Sequence, residues 1–119
     1  MTGNNLGTVE SMFADLIWQN EPITSRELVA LCAEQLKWKK STTYTVLRRL
    51  CERGIFQNNN GTVTSLQSKE DFQSRQSEAF VKEVFHGSIP AFLSAFTKRQ
   101  NLSEKDVEEI RQLIDSYKI

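Results

Sequence analysis

The chain has 119 residues, 39% of them hydrophobic, and its formal net charge is zero. This length fits one domain or two small ones, and the neutral balance excludes a general attraction to polyanions. The first six residues lack the basic and apolar regions of a signal peptide, and no apolar run reaches the roughly 20 residues that span a bilayer. We therefore expect a soluble, cytoplasmic protein without membrane insertion.

Two amphipathic helices are predicted in the first 36 residues. The first carries apolar side chains at helical spacing: Val9, Met12, Phe13, Leu16 and Ile17. Asn20-Glu21-Pro22 ends this helix, because proline interrupts helical hydrogen bonding, and Thr24 or Ser25 caps the next one. The second helix has its own apolar stripe: Leu28, Val29, Cys32 and Leu36.

A third helix, predicted from about Ser41 to Gly54, has two unlike faces. One face is mainly apolar: Thr43, Val46, Leu47 and Leu50. The other carries hydroxyls, a phenol and guanidiniums: Ser41, Thr42, Tyr44, Thr45, Arg48 and Arg49. Solvated helix faces usually alternate acids with bases, whereas Thr, Tyr and Arg suit phosphate oxygens and base edges. This pattern favours a nucleic-acid-reading face over a merely solvated one.

Local charge supports this interpretation. Between Lys37 and Arg53 there are six basic residues and one acid, whereas the preceding 36 residues hold five acids and one base. Lys39 and Lys40 add two positive charges directly before the third helix. A neutral protein with one basic stripe has a local electrostatic footprint, which suits a DNA-contacting element.

A β-hairpin is predicted after the third helix. Ile55-Phe56-Gln57 and the stretch from Thr62 to Leu66 are β-formers, and they flank an Asn-Gly pair that is typical of tight hairpin turns. Three helices followed by a hairpin is the order of a winged helix-turn-helix domain. The fold class is therefore mainly α with a small β-hairpin wing, and residues 1–67 form the predicted DNA-binding domain.

Residues 68–119 are predicted to form a helical domain for dimerisation. Ser68 caps a long helix from about Lys69 to Phe85, and Ser88 and Ser103 cap two shorter helices. The shorter helices carry apolar stripes: Ile89, Phe92, Leu93 and Phe96, then Val107, Ile110, Ile114 and Tyr117, with Leu113 beside them. Three helices of this size cannot bury all these side chains on one another, and exposed stripes mark a partner surface. We assign Phe92, Phe96, Val107, Ile110, Ile114 and Tyr117 to a homodimer interface.

Two alternatives remain at this point. The C-terminal helices could fold back on the N-terminal domain in a monomer. The basic helix could face solvent in a winged-helix protein-interaction module that does not bind DNA.

An enzyme is the least favoured interpretation. The single histidine, His86, lies beside a glycine at a helix end, and no nucleophile motif or phosphate loop is present. Cys32 and Cys51 lie far apart inside predicted helices, without metal-ligand spacing, so we expect small hydrophobic side chains, no metal and no cofactor.

Four blocks of the chain, in this order, resemble the penicillinase-repressor (BlaI/MecI/CopY) family of bacterial transcriptional repressors. The resemblance runs from about Val9 to Ile119. The blocks are V-E-S-M-F-A-D-L-I-W-Q-N-E-P-I-T-S-R-E-L, W-K-K-S-T-T-Y-T-V-L-R-R-L-C-E-R-G-I-F, F-H-G-S-I-P-A-F-L-S-A-F and N-L-S-E-K-D-V-E-E-I-R-Q-L-I.

This resemblance implies a homodimer that binds a dyad-symmetric operator in double-stranded DNA and blocks transcription. The third helix of the family reads the major groove. Carried over by position, the groove and phosphate contacts would be Ser41, Thr42, Tyr44, Thr45 and Arg49.

The chain departs from the family in three places. Thr62 follows the wing glycine, where the family usually has a basic residue, and the hairpin is short. The end of the sequence lacks the Cys-x-Cys ligands of the copper-responsive branch. The β-lactam branch is cleaved at an Asn-Phe bond by a membrane sensor-protease system; the aligned regulatory pair here is Ala95-Phe96, which keeps only the Phe.

Overall fold

The computed structural model describes residues 6–117, and in that range it is mainly helical with one small antiparallel sheet. The elements are α1 Thr8–Asn20, β1 Ile23–Thr24, α2 Ser25–Gln35, α3 Lys40–Glu52, β2 Phe56–Asn59, β3 Thr62–Ser65, α4 Lys69–Phe85, α5 Ile89–Thr97 and α6 Glu104–Asp115. This confirms the predicted fold class. The expectation about the first residues of the chain lies largely outside the described range.

The chain divides into two compact units, Met1–Ala79 and Phe80–Ile119, and the division falls inside α4. The sequence predicts the domain boundary between residues 67 and 68, at the start of this helix. The start of α4 belongs to the first unit because Phe72 is buried there, with its ring 5.9 Å from that of Trp18. None of the described helices is long and apolar enough to cross a membrane.

The first unit has a closed hydrophobic core built by α1–α3, the sheet and the start of α4. Its largest fully buried side chains include Phe13, Phe56, Ile17, Leu28 and Leu50. Val9 and Met12, expected on the buried stripe of α1, are instead 53% and 49% exposed. Ala14 is buried instead. The buried residues of α1 therefore begin at Phe13, and the turns before it contribute no buried side chain.

Two short signals set the turn before α3. Thr24 caps α2 in a capping box, accepting a hydrogen bond from the Glu27 N–H while the Glu27 carboxylate accepts one from the Thr24 N–H. After α2, Lys37 adopts a left-handed conformation (φ 59°), and the Trp38 N–H reaches back to the Cys32 carbonyl at 3.2 Å. This closes α2 as a glycine would, and the stacking of Trp38 on Phe13 (5.3 Å between centroids) holds the turn.

The hairpin follows the prediction closely. Gly54 ends α3 with φ 78°, and the Ile55 N–H bonds the Leu50 carbonyl at 3.1 Å. Asn60 and Gly61 both have positive φ, 52° and 91°, which is the two-residue turn that an Asn-Gly pair favours. β1 adds a third strand beside β3, giving the order β1-β3-β2.

The second unit consists of the end of α4 with α5 and α6. The predicted caps are confirmed: Ser88 accepts from the Ala91 N–H and Ser103 from the Asp106 N–H. Four phenylalanine rings cluster at centroid distances of 5.6–6.3 Å: Phe80, Phe85, Phe92 and Phe96. No residue from 80 to 117 is buried. α6 ends at Asp115, so Tyr117, expected in the helical seam, lies beyond it.

Candidate nucleic-acid interface

The division of α3 into two faces is confirmed by burial. All four side chains of the predicted apolar face are buried: Thr43, Val46, Leu47 and Leu50. All predicted contact residues are exposed: Lys39, Lys40, Ser41, Thr42, Tyr44, Thr45, Arg48 and Arg49. The helix begins at Lys40, one residue earlier than predicted, with Lys39 as its N-cap. The polar face therefore projects from the first unit as one continuous surface.

This surface rests on a rigid base. The buried Thr43 hydroxyl donates to the Lys39 carbonyl at 3.3 Å, which ties the start of α3 to its own first turn. Leu47 and Leu50 are 2% and 0% exposed within the core shared with α1 and α2. Close packing leaves α3 little freedom to shift, so the backbone positions that carry its exposed side chains are fixed.

Tyr44 connects the polar face to the hairpin turn. Its phenol donates to the Ser25 hydroxyl at 3.3 Å, and the Ser25 N–H donates to the Gly61 carbonyl at 2.7 Å. The hairpin tip is thereby tied to the start of α2. Sequence could not show this contact, because Tyr44 and Ser25 are 19 residues apart and neither spacing nor composition links them.

Arg49 is held by an acid from α1. Its guanidinium lies 3.0 Å from the Glu10 carboxylate, and the other oxygen of that carboxylate accepts from the Gly7 N–H at 3.3 Å. Partial burial alone would raise the pKa of Glu10, but the hydrogen bonds from Arg49 and Gly7, with the charges of Arg49 and Arg53, leave its pKa lowered. Glu10 therefore stays ionised at neutral pH. Sequence reasoning missed it, since it was considered only as part of α1.

The remaining basic residues of the surface are less constrained. Within residues 6–117, Lys39, Lys40 and Arg48 make no ion pair. All three lie at or beside α3, so their positive charge adds to the same surface. Long basic side chains without acidic partners are available for phosphate oxygens.

The hairpin brings no charge to this surface. No residue from Phe56 to Ser65 is basic, and the exposed residue after the turn is Thr62. The Asn58 side chain accepts from the Gly61 N–H at 2.9 Å, so it is used within the turn itself. The expectation of a short wing is matched by strands of four residues each.

The cysteines are free and poorly reactive. Cys32 is buried and Cys51 half-buried, and burial raises the pKa of both thiols. Across the described range, no group of three or more His, Cys, Asp or Glu side chains could hold a metal ion.

A second candidate surface lies on α5 and α6. Adjoining grooves of about 310 and 270 Å³ share Leu93, Leu102 and Ile110 in their walls. Of the residues assigned to dimerisation, Phe92 and Ile110 are half-buried; the others are exposed: Phe96, Val107, Ile114 and Tyr117. Ala95, of the aligned regulatory pair, is also exposed on α5.

The chain is similar to known regulators over nearly its whole length. The penicillinase repressor family model matches residues 6–116. The methicillin resistance regulatory protein MecI of Staphylococcus aureus strain Mu50 is 21% identical over 114 residues, which are 92% of this chain and 93% of that protein. A penicillinase repressor of Bacillus licheniformis is 22% identical over 107 residues, covering 87% of this chain and 84% of that protein.

Proposed function

The chain belongs to the penicillinase repressor family of transcriptional repressors, and from this premise we propose that it binds a palindromic DNA operator as a homodimer. α3 enters the major groove, and the repressor acts in the cytoplasm where its operator is accessible. The observation that carries the proposal is the polar face of α3: seven exposed residues of the helix, with its N-cap Lys39, opposite a face that is buried.

The side chains of this face divide by chemistry. Ser41, Thr42 and Thr45 lie in the first half of α3, the end of a recognition helix that comes closest to base edges. Their hydroxyls can bond base edges, and the threonine methyls can pack on a thymine methyl. Lys39 and Lys40 precede them and suit phosphate contacts, which fix the register of the protein on the duplex.

Dimerisation is supported by the second unit. Phe96, Leu113 and Ile114 expose 46%, 68% and 64% of their surface, and such clustered apolar exposure marks an association surface. Two copies related by a two-fold axis would cover the same surface on each other. Their recognition helices would then read half-sites about 34–36 Å apart, one turn of DNA.

We further propose that a membrane sensor-protease regulates the protein by cleaving it in α5. Ala95 and Phe96 are exposed on α5, ahead of the whole of α6. Cleavage between them would separate α6 and its apolar side chains from the DNA-binding unit. A chain ending at Ala95 is expected to sediment as a monomer and to bind operator much more weakly than the full chain.

Selection of bound duplexes from a random DNA pool tests the central proposal. We expect an enriched palindrome, and an affinity whose logarithm falls with log salt by about 0.9 for each phosphate contact. A Thr45→Ala variant should enrich a different or weaker consensus. Failure to enrich any sequence, with salt-independent association to protein partners instead, would favour the protein-interaction module.

A further inference from the structure

Glu10 is an acid placed against a surface that otherwise attracts anions. It lies in the first turn of α1, 39 residues before its partner Arg49. A carboxylate next to a DNA-contacting arginine repels phosphate and competes with it for the guanidinium. Its presence here therefore needs an explanation beyond charge attraction to DNA.

The geometry fixes the acid more firmly than the base. Both carboxylate oxygens of Glu10 are engaged, one by Arg49 and one by the Gly7 N–H. The Glu10 side chain is 22% exposed and that of Arg49 is 54% exposed. One terminal nitrogen of Arg49 meets Glu10, and a guanidinium carries five N–H donors, so donors remain that can face DNA.

We infer that Glu10 is a specificity-determining residue of the interface, acting as a positioning residue on Arg49. It holds the guanidinium in one orientation, which a matching operator contact can use directly. On other DNA, Arg49 cannot turn toward whichever phosphate is nearest without leaving its carboxylate. Glu10 thus weakens non-specific binding more than operator binding; this inference rests on the proposed function.

The other role open to Glu10 is a purely local helix cap. Glu10 is the third residue of α1 and accepts from the N-cap backbone, as Glu27 does at the start of α2. Glu27 is hydrogen-bonded to Thr24, and within residues 6–117 it makes no ion pair with an arginine. Glu27→Gln is therefore a matched control: it removes the charge of the same kind of capping carboxylate without touching Arg49.

The test compares the wild type with Glu10→Gln, Glu10→Asp, Arg49→Ala, Glu27→Gln and the double variant Glu10→Gln/Arg49→Ala. Affinity is measured by fluorescence anisotropy for the selected operator and for a scrambled duplex of equal length, at one salt concentration. The readout is the ratio of the two affinities. Thermal unfolding of each variant confirms that it is folded.

We expect Glu10→Gln to tighten binding to the scrambled duplex and to lower the ratio by roughly two- to fivefold, the scale of a partly exposed ion pair. Glu10→Asp keeps the charge but shortens the reach to Arg49, so it should lower the ratio too. In the Arg49→Ala background, Glu10→Gln should leave the ratio unchanged. Glu27→Gln should behave as the wild type.

Three results would overturn the inference. An unchanged ratio for Glu10→Gln, with operator binding intact in the wild type, makes Glu10 a helix cap and leaves the proposed function standing. An equal effect of Glu10→Gln with and without Arg49 means that Glu10 acts through general charge. If the wild type does not distinguish the two duplexes at all, the proposed function fails with the inference.

Discussion

Phe13, Leu50 and Phe56 are wholly buried in the first unit, whereas Leu113 and Ile114 in the second expose about two thirds of their surface, 68% and 64%. Both units contain amphipathic helices with well-formed caps. They differ in what covers the apolar stripes: the first unit provides a three-stranded sheet and crossing helices, and the second provides only short helices. The first unit is therefore complete as a folding unit, whereas the second would gain its core only in the proposed dimer.

This contrast assigns the two tasks of the proposed repressor to separate parts. The packed core under α3 keeps the polar face of that helix in one arrangement, and discrimination between DNA sequences requires such a fixed arrangement. In the proposed dimer, an apolar surface left open in one copy would let the protein concentration control assembly. Substitutions in the two units should therefore differ in their dependence on protein concentration.

The largest effect is expected for Phe56→Ala in the first unit. Phe56 is 0% exposed and its ring lies 5.2 Å from that of Trp18, so truncation leaves a cavity beside that ring. We expect a loss of about 3–5 kcal/mol in the free energy of unfolding, the usual range for a buried Phe. Chemical denaturation followed by Trp fluorescence measures it.

The control for this substitution is Phe96→Ala in the second unit. Phe96 is 46% exposed, so at concentrations too low for dimers the first unit should unfold as in the wild type. Equal destabilisation by both substitutions at low concentration would show that the two units share one core, and the contrast would be broken.

The next effect is expected at the proposed dimer surface, from Ile110→Asp. Ile110 lines both grooves of the second unit, and a carboxylate there would lie unpaired in an apolar interface. We expect dimerisation to weaken at least about a hundredfold, or roughly 3 kcal/mol, with a parallel loss of operator affinity. Analytical ultracentrifugation measures the first and anisotropy the second.

Gln112→Asp introduces the same charge on an exposed position of α6 outside the residues that line the grooves. It should sediment as the wild type does. If Ile110→Asp also remains dimeric, the association surface lies elsewhere on the second unit.

A smaller, more selective effect is expected for Thr45→Val on the polar face of α3. The change keeps the shape and removes one hydroxyl, which is worth about 0.5–1.5 kcal/mol when it bonds a base edge. We expect operator preference to change while binding to scrambled DNA and the dimer constant stay the same. Thr62→Val, on the uncharged hairpin, is the control, and a uniform loss on all DNA would make Thr45 a phosphate contact instead.

Periodicity and capping residues were enough to predict most of the first unit. The two faces of α3 follow from side-chain spacing alone, and the turn at Asn60-Gly61 follows from the residues that accept positive φ. The turn after α2 could not be predicted in the same way, because Lys37 gives no sign of a left-handed conformation. It is held there by the packing of Trp38 on Phe13, a contact between distant residues.

The same limit applies to the candidate site. Sequence named the exposed residues of α3, because a helix face is a local property. The contacts of Tyr44 with Ser25 and of Arg49 with Glu10 join different helices, and no local pattern carries them. Val9 and Met12 were expected on the buried stripe because spacing predicts which residues share a helix face. Spacing does not predict how far along α1 the neighbouring elements cover that face, and both side chains are exposed.

The smallest predicted effect concerns the pH dependence of the first unit. The pKa of Glu10 is lowered from 4.5 in the folded protein, so its ionised form is favoured by folding. The stabilisation from such a group is complete above its unfolded pKa and is lost as pH falls through the lower folded pKa. Wild type should therefore exceed Glu10→Gln in stability at neutral pH, and the gap should close as pH falls below 4.5.

Salt separates the ion pair from the helix cap in this measurement. The pair with Arg49 is partly exposed, so the gap should be at most about 1 kcal/mol and should narrow with added salt. Glu27→Gln neutralises a capping carboxylate that accepts hydrogen bonds from Thr24, and its gap should respond less to salt because within residues 6–117 Glu27 has no ion pair to screen. A Glu10 gap that is insensitive to salt would mean that the carboxylate stabilises α1 alone, and Arg49 would then be free to turn toward any phosphate.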